Sequence, residues 1–322
     1  MTFRPVAVVA STHAALLLTL CAQQPVDLEP SQLPIEPSAR SRVEHALHER
    51  NYPEAEAILI RDAQGAATSS KLLCFLGKVF FLDRKFLNSA VALTKADKLE
   101  PLSEADRYTL AMAFAALGRP DLARADLEKL RGAQPKNALY VYWLGKLDFE
   151  EQNLPDAIEK FEEAIRLDGG FVKAHDMLGV SKDVAGEYDE AARHLEDANR
   201  LNRASVSPSP WPPLDYGDML LRQGEPWKAE PYLREALRYE EKLAKAHYLL
   251  ASALEGERKN AEAVEQLKRA AELDVSYPEP WYALARLYRK AGQAQEVETA
   301  LAEYEKRAKA AEPQGARSEA RP

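Results

Sequence analysis

The side chains that could do chemistry are few and scattered along the chain. The six histidines are His13, His45, His48, His175, His194 and His247. His45 and His48 are three residues apart, a spacing that places two imidazoles side by side on one helix. A metal site would still need a third ligand from elsewhere in the chain. His175 and His247 recur at equivalent places in a repeat, which favours a packing role, so the sequence predicts no metal site.

Motifs of known catalytic chemistry are absent from the sequence. It contains no GxSxG, no phosphate-cradling glycine loop and no HExxH. Carboxylates are abundant, but they stand on amphipathic segments, where solvent-facing acids are ordinary, and no pair is set apart as an acid and a base. Gly169 and Gly170 fit a turn between repeats. We therefore predict no catalytic residue, no cofactor and no enzyme activity.

The charge balance also excludes a class of partner. Of the 322 residues, 46% are hydrophobic and 29% are charged, and the net charge is −8. Nucleic-acid binding proteins usually carry a basic surplus, so we expect no nucleic acid as a ligand. The charges of both signs are interspersed, as they are on solvated helix faces.

The elements that must position any binding residue are short helices. In residues 138–171, the apolar residues Ala157, Ile158, Phe161, Ala164 and Ile165 fall on one helical face. A first short helix, marked by Leu144, Gly145 and Leu147, precedes them. A single helical hairpin cannot bury the apolar faces of both helices, so this unit needs a neighbour on each side.

The neighbours follow a regular register along nearly the whole chain. The register defines eight units of equal length, at 36–69, 70–103, 104–137, 138–171, 172–205, 210–243, 244–277 and 278–311, with residues 206–209 outside the count. At one position in the first helix, every unit except the first has glycine or alanine. The residues at this position are Val43, Gly77, Ala111, Gly145, Gly179, Gly217, Ala251 and Ala285. A second small column and a bulky column follow on the second helix, the bulky one being Leu59, Leu93, Leu127, Phe161, Leu195, Leu233, Leu267 and Leu301. Small residues allow two helices to approach closely, and the bulky column builds a continuous core.

This register resembles the tetratricopeptide repeat (TPR), a helix-turn-helix unit whose length is about 34 residues. The resemblance implies an all-α, right-handed superhelical solenoid of about eight such units. In this family, the first helix of each unit (the A helix) lines a concave groove. Carrying the groove positions over gives the candidate partner-binding residues Lys71, Lys78, Tyr108, Met112, Tyr142, Lys146, Lys173, Trp211, Tyr248, Tyr282 and Arg286. The alternative is that these tyrosines only pack between adjacent A helices.

The N-terminal residues differ in character from the repeats. Residues 1–22 carry Arg4, an apolar run and Ala22, which resembles a secretory signal peptide. Leu18 to Cys21 also resembles the site at which bacterial lipoproteins are acylated on cysteine, and an uncleaved anchor or a misassigned start is a third possibility. Residues 23–35 contain three prolines and fit an extended tether. Residues 312–322 fit a disordered tail.

One segment interrupts the repeats. Residues 205–213, SVSPSPWPP, hold four prolines, which cannot continue a helix. A short ordered loop or hinge between five repeats and three is expected there.

The resemblance implies a non-catalytic scaffold that holds a partner protein or an extended peptide in its groove. With a signal peptide, the chain would be exported, to the periplasm or beyond, and would act within a cell-envelope assembly. The basic groove residues favour an acidic or C-terminal segment as the ligand. Contact with a membrane is expected only through the N-terminal segment or a lipid on Cys21. A carrier of a non-protein ligand such as a glycan is the alternative, because aromatic groove residues suit that role too.

Overall fold

The structure is a computed structural model, and it describes residues 28–65 and 69–311. This part of the chain contains sixteen α-helices, one short 3-10 helix (Pro30–Gln32) and no strand. In chain order the helices are α1 Pro37–His48, α2 Tyr52–Gly65, α3 Ser70–Leu82, α4 Phe86–Leu99, α5 Glu104–Ala116, α6 Pro120–Ala133, α7 Ala138–Glu150, α8 Leu154–Leu167, α9 Val172–Val184, α10 Tyr188–Arg203, α11 Trp211–Arg222, α12 Pro226–Tyr239, α13 Ala244–Gly256, α14 Asn260–Leu273, α15 Glu279–Lys290 and α16 Ala294–Ala311. The prediction of an all-α chain of about eight helix-turn-helix units is confirmed. No helix among the described residues has the length and apolar character that a membrane span requires.

The chain divides into two compact units. The first unit ends at Lys160 and the second begins at Phe161. This boundary falls within α8 and not at the insertion after residue 205. Within the second unit, α9 contacts α11 and α11 contacts α13, so these A helices form a layer. In the first unit, α3 and α5 are in contact in the same way.

Each helical hairpin turns at one residue with a left-handed backbone. Positive φ angles recur once in each of the eight repeats, at Arg50, Arg84, Gly118, Gln152, Gly186, Gly224, Arg258 and Gly292. At Gly224, the following amide donates a hydrogen bond from Glu225 N to Leu220 O at 2.9 Å, the bond that closes a helix C-terminus in this conformation. The eight equivalent turns therefore share one geometry, which glycine adopts most readily.

The small and bulky columns form the cores of the two units. Ala123, Ala191, Ala229 and Ala263 are fully buried, as are Leu93, Leu127, Leu195 and Leu233. At the end of the chain the columns loosen, and Val297 and Leu301 of α16 are only partly buried. The two columns are therefore less completely buried in the last hairpin than in the hairpins before it.

The described part of the predicted tether is packed. Leu33 is 3% exposed within the core of the first hairpin, and Leu28 and Ile35 pack against that core. Arg40 on α1 donates a hydrogen bond to Leu33 O at 2.7 Å. Residues 28–35 therefore cover the first hairpin, because their apolar side chains pack against its core. Residues 1–27 and 312–322, which hold the predicted signal peptide and tail, lie outside the described residues.

The insertion forms an ordered loop. α10 has 16 residues, two more than the 14 of α12 and α14. Asn202, which is 2% exposed, holds the loop through both ends of its side-chain amide. Its Nδ2 donates to Ser209 O at 2.8 Å, and Ser209 N donates to its Oδ1 at 2.8 Å. The loop is thus tied to the last turn of α10.

Candidate binding surface on the A helices

The predicted binding residues of the first unit are mostly buried or paired. Lys71 is exposed. Lys78 lies 3.0 Å from Asp106 in an ion pair that is largely shielded from solvent. Tyr108 is half-buried, with its ring centroid 6.1 Å from that of Tyr140.

Three further predicted residues of this unit have almost no accessible surface. Met112, Tyr142 and Lys146 are each 1% exposed. The Lys146 ammonium lies 5.7 Å from the centre of the Trp143 ring and 3.9 Å from Glu150. Burial raises the pKa of Glu150, with Lys146 opposing that shift. These three side chains therefore pack inside their unit in this structure, and for Tyr142 this is the role that the sequence left open as the alternative.

The second unit keeps its predicted residues closer to solvent. Lys173 and Trp211 are half-buried at the starts of α9 and α11, and Trp211 packs against the core of its unit. Tyr248 on α13 is half-buried, and its ring lies edge-on to Tyr277, with centroids 5.4 Å apart. Burial raises the pKa of Tyr248, so its hydroxyl stays protonated as a hydrogen-bond donor.

The most accessible predicted residues lie on α15. Tyr282 is 57% exposed, and its ring is braced by Tyr304 of α16, with centroids 5.4 Å apart. Arg286 stands four residues further along the helix and Lys290 four residues beyond that. Residues at this spacing share one face of a helix. We call Tyr282, Arg286 and Lys290 the α15 stripe.

The electrostatics of the stripe leave positive charge at the surface. Arg286 donates to Glu255 of α13, and the Lys290 ammonium lies 2.6 Å from the same carboxylate. The Glu255 side chain is 14% exposed, whereas those of Arg286 and Lys290 are 51% and 55% exposed. Two cations thus share one sheltered carboxylate, which holds them in place without neutralising both.

A second charged group lies on α11. Arg222 donates to Asp183 of α9 and lies 3.3 Å from Asp218, which in turn is 3.9 Å from Lys245 of α13. Burial raises the pKa of Asp183, with Arg222 as the main opposing influence. These two cations and two carboxylates balance each other, whereas Arg286 and Lys290 share the single carboxylate of Glu255.

Sequence reasoning missed Lys290, Glu255 and the Arg222 pairings. The groove columns take one or two positions from each A helix, so they omit a residue eight positions after Tyr282. The i, i+4, i+8 spacing of Tyr282, Arg286 and Lys290 was a signal available in the sequence. The contacts with Glu255 and Asp183 required the packing of successive A helices.

Comparison with known proteins agrees with this architecture. A family model described as tetratricopeptide repeat matches residues 108–170 and 214–278. The prediction of tetratricopeptide repeats is thereby supported for these two stretches of the chain. No curated protein matches the sequence.

Solved structures show the same fold at low sequence identity. A tetratricopeptide repeat protein from Parabacteroides merdae is 16% identical over 82% of this chain and 98% of its own, with a TM-score of 0.61. Yeast Tom70 is 17% identical over 90% of this chain and 65% of its own, with a TM-score of 0.65. PilW, described as a type IV pilus biogenesis factor, is 18% identical over 65% of this chain and 95% of its own, with a TM-score of 0.57. At such identities the similarity concerns the fold alone.

Proposed function

We propose that this protein is a non-catalytic scaffold that binds an extended segment of a partner protein on its A helices, with the main contact at the α15 stripe. The observation that carries the proposal is the exposed, braced ring of Tyr282 beside Arg286 and Lys290. A rigid tyrosine contributes a large contact area at a low cost in conformational entropy, and arginine and tyrosine are enriched where binding energy concentrates. Tetratricopeptide repeats typically serve as protein-binding scaffolds.

The charge of the stripe indicates the chemistry of the ligand. A segment with an acidic side chain or a terminal carboxylate would accept hydrogen bonds from Arg286 and Lys290, and an apolar or aromatic side chain beside it would cover Tyr282. Tyr248 and Lys245 on α13 extend the surface for a peptide that runs across the A helices. Several modest contacts along such a surface add up to specific binding only when the surface is preorganised, as the bracing by Tyr304 and Glu255 provides.

The place of action is also a proposal. We propose that residues 1–22 direct export, so that the scaffold works in the cell envelope, with cleavage after Ala22 or acylation of Cys21 as the two processed forms. Mass spectrometry of the protein purified from its native host distinguishes them. A mature N-terminus at residue 23 supports cleavage, a lipid mass on Cys21 supports the lipoprotein, and an intact Met1 contradicts both.

The binding proposal is tested with a photo-crosslinking amino acid placed at single positions of the full chain. Position 282 reports on the stripe. Position 188 is the matched control, because Tyr188, at the start of α10, is a tyrosine of similar exposure, 55%. We expect extract proteins to crosslink at 282 and not at 188.

A charge reversal tests the role of the cations. Arg286→Glu in the crosslinking variant is expected to abolish capture at 282, whereas Arg193→Glu on α10, where the side chain is 71% exposed, leaves it unchanged. Circular dichroism confirms that both variants keep their helices. Equal capture at 282 and 188, or capture that survives Arg286→Glu, would contradict the proposal.

The glycan carrier is the second candidate, and one cleft favours it. α14, α15 and α16 border an open cleft of about 600 Å³, which is lined by Trp281 and Tyr288 together with Glu272, Glu296 and Thr299. Aromatic faces and carboxylates together suit a sugar. Binding of an oligosaccharide that is lost in Thr299→Trp, which fills the cleft, and kept in Arg286→Glu would favour this function over the first.

A further inference from the structure

The hairpin of α9 and α10 brings together two histidines and an aspartate. His175 on α9 and His194 on α10 face each other, with their Nδ1 atoms 3.5 Å apart. Asp197 lies one turn after His194, on the same face of α10. One ligand atom from each of the three residues lies within 4.8 Å of the other two. His175 is 7% exposed, and His194 and Asp197 are partly buried.

These separations match those between ligands of one transition-metal ion. Zinc binds imidazole nitrogen at about 2.0–2.1 Å, so two nitrogens on one tetrahedral zinc ion are about 3.4 Å apart. The observed 3.5 Å between the two Nδ1 atoms needs almost no change. The Asp197 carboxylate also lies 2.6 Å from Arg200, so it would have to shift towards the two imidazoles to bind the same ion.

The backbone selects the form of His175 that can bind a metal ion. His175 Nε2 lies 3.3 Å from Gly169 O. A carbonyl oxygen only accepts hydrogen bonds, so this contact places the proton on Nε2 and leaves the lone pair of Nδ1 directed at His194. A metal-bound histidine commonly donates its other N–H to a backbone carbonyl in this way.

The same chain contains an equivalent site with a different set of residues. His247 occupies the position of His175 two units later, and Gln266 and Arg269 occupy those of His194 and Asp197. His247 Nε2 lies 2.9 Å from Glu241 O, and its Nδ1 lies 2.7 Å from Gln266 Oε1. An amide there completes an ordinary hydrogen bond, and Arg269 repels cations. The packing slot therefore needs a polar partner for the histidine but does not need a second imidazole and a carboxylate.

We propose that His175, His194 and Asp197 form a binding site for a divalent transition-metal ion of the zinc class. The two imidazoles and one carboxylate would leave a coordination position for water or for a donor from another molecule. The ion links α9 to α10 and so stabilises the fifth hairpin. This inference is independent of the α15 stripe, which lies on another hairpin.

Calorimetric titration of the full chain, free of any histidine tag, with zinc chloride tests the proposal. We expect one equivalent to bind, with magnesium chloride giving no signal. His194→Gln recreates the pair seen at His247 and Gln266, so it is expected to fold normally by circular dichroism and to lose the binding. Asp197→Asn is expected to weaken binding by at least about 10-fold, because the loss of a charged ligand costs no less than the loss of an outer partner that only orients one.

The second part of the test is a variant that should gain a zinc site. Gln266→His combined with Arg269→Asp reproduces the three ligands on α13 and α14 and is expected to bind a second equivalent of zinc. Zinc also raises the melting temperature of the wild type and not that of His194→Gln. No binding by the wild type, undiminished binding by His194→Gln, or no second equivalent in the double variant would each overturn the assignment.

Discussion

Gly217 of α11 lies so close to Leu233 of α12 that a Cβ atom built on the glycine would stand 2.7 Å from Leu233 Cγ. Gly179 and Leu195 show the same relationship one hairpin earlier, at 2.6 Å. Backbone and leucine side chain are thus in direct contact where the register predicts a close approach of the two helices. The small column is a geometric requirement at these positions.

The first prediction concerns this contact. Gly217→Ala is expected to lower the free energy of unfolding by about 1–3 kcal/mol, the usual cost of overpacking a core. Gly132→Ala on α6 is the control, because nothing lies within 4 Å of its added Cβ. There, alanine is expected to stabilise the helix by about 0.5–1 kcal/mol. Urea denaturation of both variants measures the difference, and equal stability of the two would contradict the packing argument.

The second prediction concerns the left-handed turns. Arg258 has a φ of 65°, whereas the equivalent position in the preceding hairpin is Gly224. Arg258→Gly relieves a conformation that costs a side-chain residue about 1–2 kcal/mol, partly offset by the greater freedom of glycine in the unfolded chain. We expect a net stabilisation of about 0.5–1 kcal/mol. Gly224→Ala is the reverse change and is expected to lower the melting temperature; a rise would show that this geometry carries no strain.

The third prediction concerns an ion pair that links α12 to the turn after α13. Glu230 lies 2.7 Å from Lys259 and 2.7 Å from Arg234. Hydrogen bonds from Lys259, and then from Arg234, lower the pKa of Glu230 from 4.5 to about 2. A lowered pKa in the folded state means that the stabilisation is complete above the unfolded value of 4.5 and is lost as the pH falls towards 2.

Glu230→Gln is therefore expected to cost about 1 kcal/mol at pH 7, a modest value because Lys259 is partly exposed, and less at pH 3. Glu56 occupies the position equivalent to Glu230 in the first repeat, and it lies 2.6 Å from Lys85. Burial raises the pKa of Glu56 despite Lys85, so its ionised form is disfavoured in the folded state as the pH rises above 4.5. Glu56→Gln should cost less than Glu230→Gln at pH 7. Urea denaturation midpoints at pH 7 and pH 3 measure the cost of each substitution. A larger cost for Glu56→Gln than for Glu230→Gln at pH 7 would refute this account.

The fourth prediction concerns the loop between the fifth and sixth hairpins. Asn202→Ala removes both hydrogen bonds to Ser209, which leaves the partly buried carbonyl and N–H of Ser209 without this partner. A fully buried group left without a partner costs about 1–3 kcal/mol, and because Ser209 is only partly buried, we expect the smaller end of that range for the variant. Ser207→Ala in the same exposed loop is the control and should be neutral. Amide hydrogen exchange at Ser209 is expected to accelerate only in Asn202→Ala.

The sequence by itself determined the architecture, because the small and bulky residues that must pack against each other lie within a single helical hairpin. A small residue, a second small residue and a bulky one recur at fixed spacing, and helical periodicity converts that spacing into faces that meet. Local turn chemistry was readable too: Gly118, Gly186, Gly224 and Gly292 stand where the chain needs a left-handed residue.

Only the tertiary structure decided which side chains of the A helices reach solvent. Tyr142 and Tyr282 occupy equivalent positions, yet one is 1% exposed and the other 57%, because exposure depends on the residues of other helices around each position. The same holds for His175, His194 and Asp197, whose approach depends on the packing of α9 against α10. Periodicity fixes the face of a helix on which a residue lies. The burial of a side chain, its ion pairs and its approach to other side chains depend on contacts between residues distant in sequence.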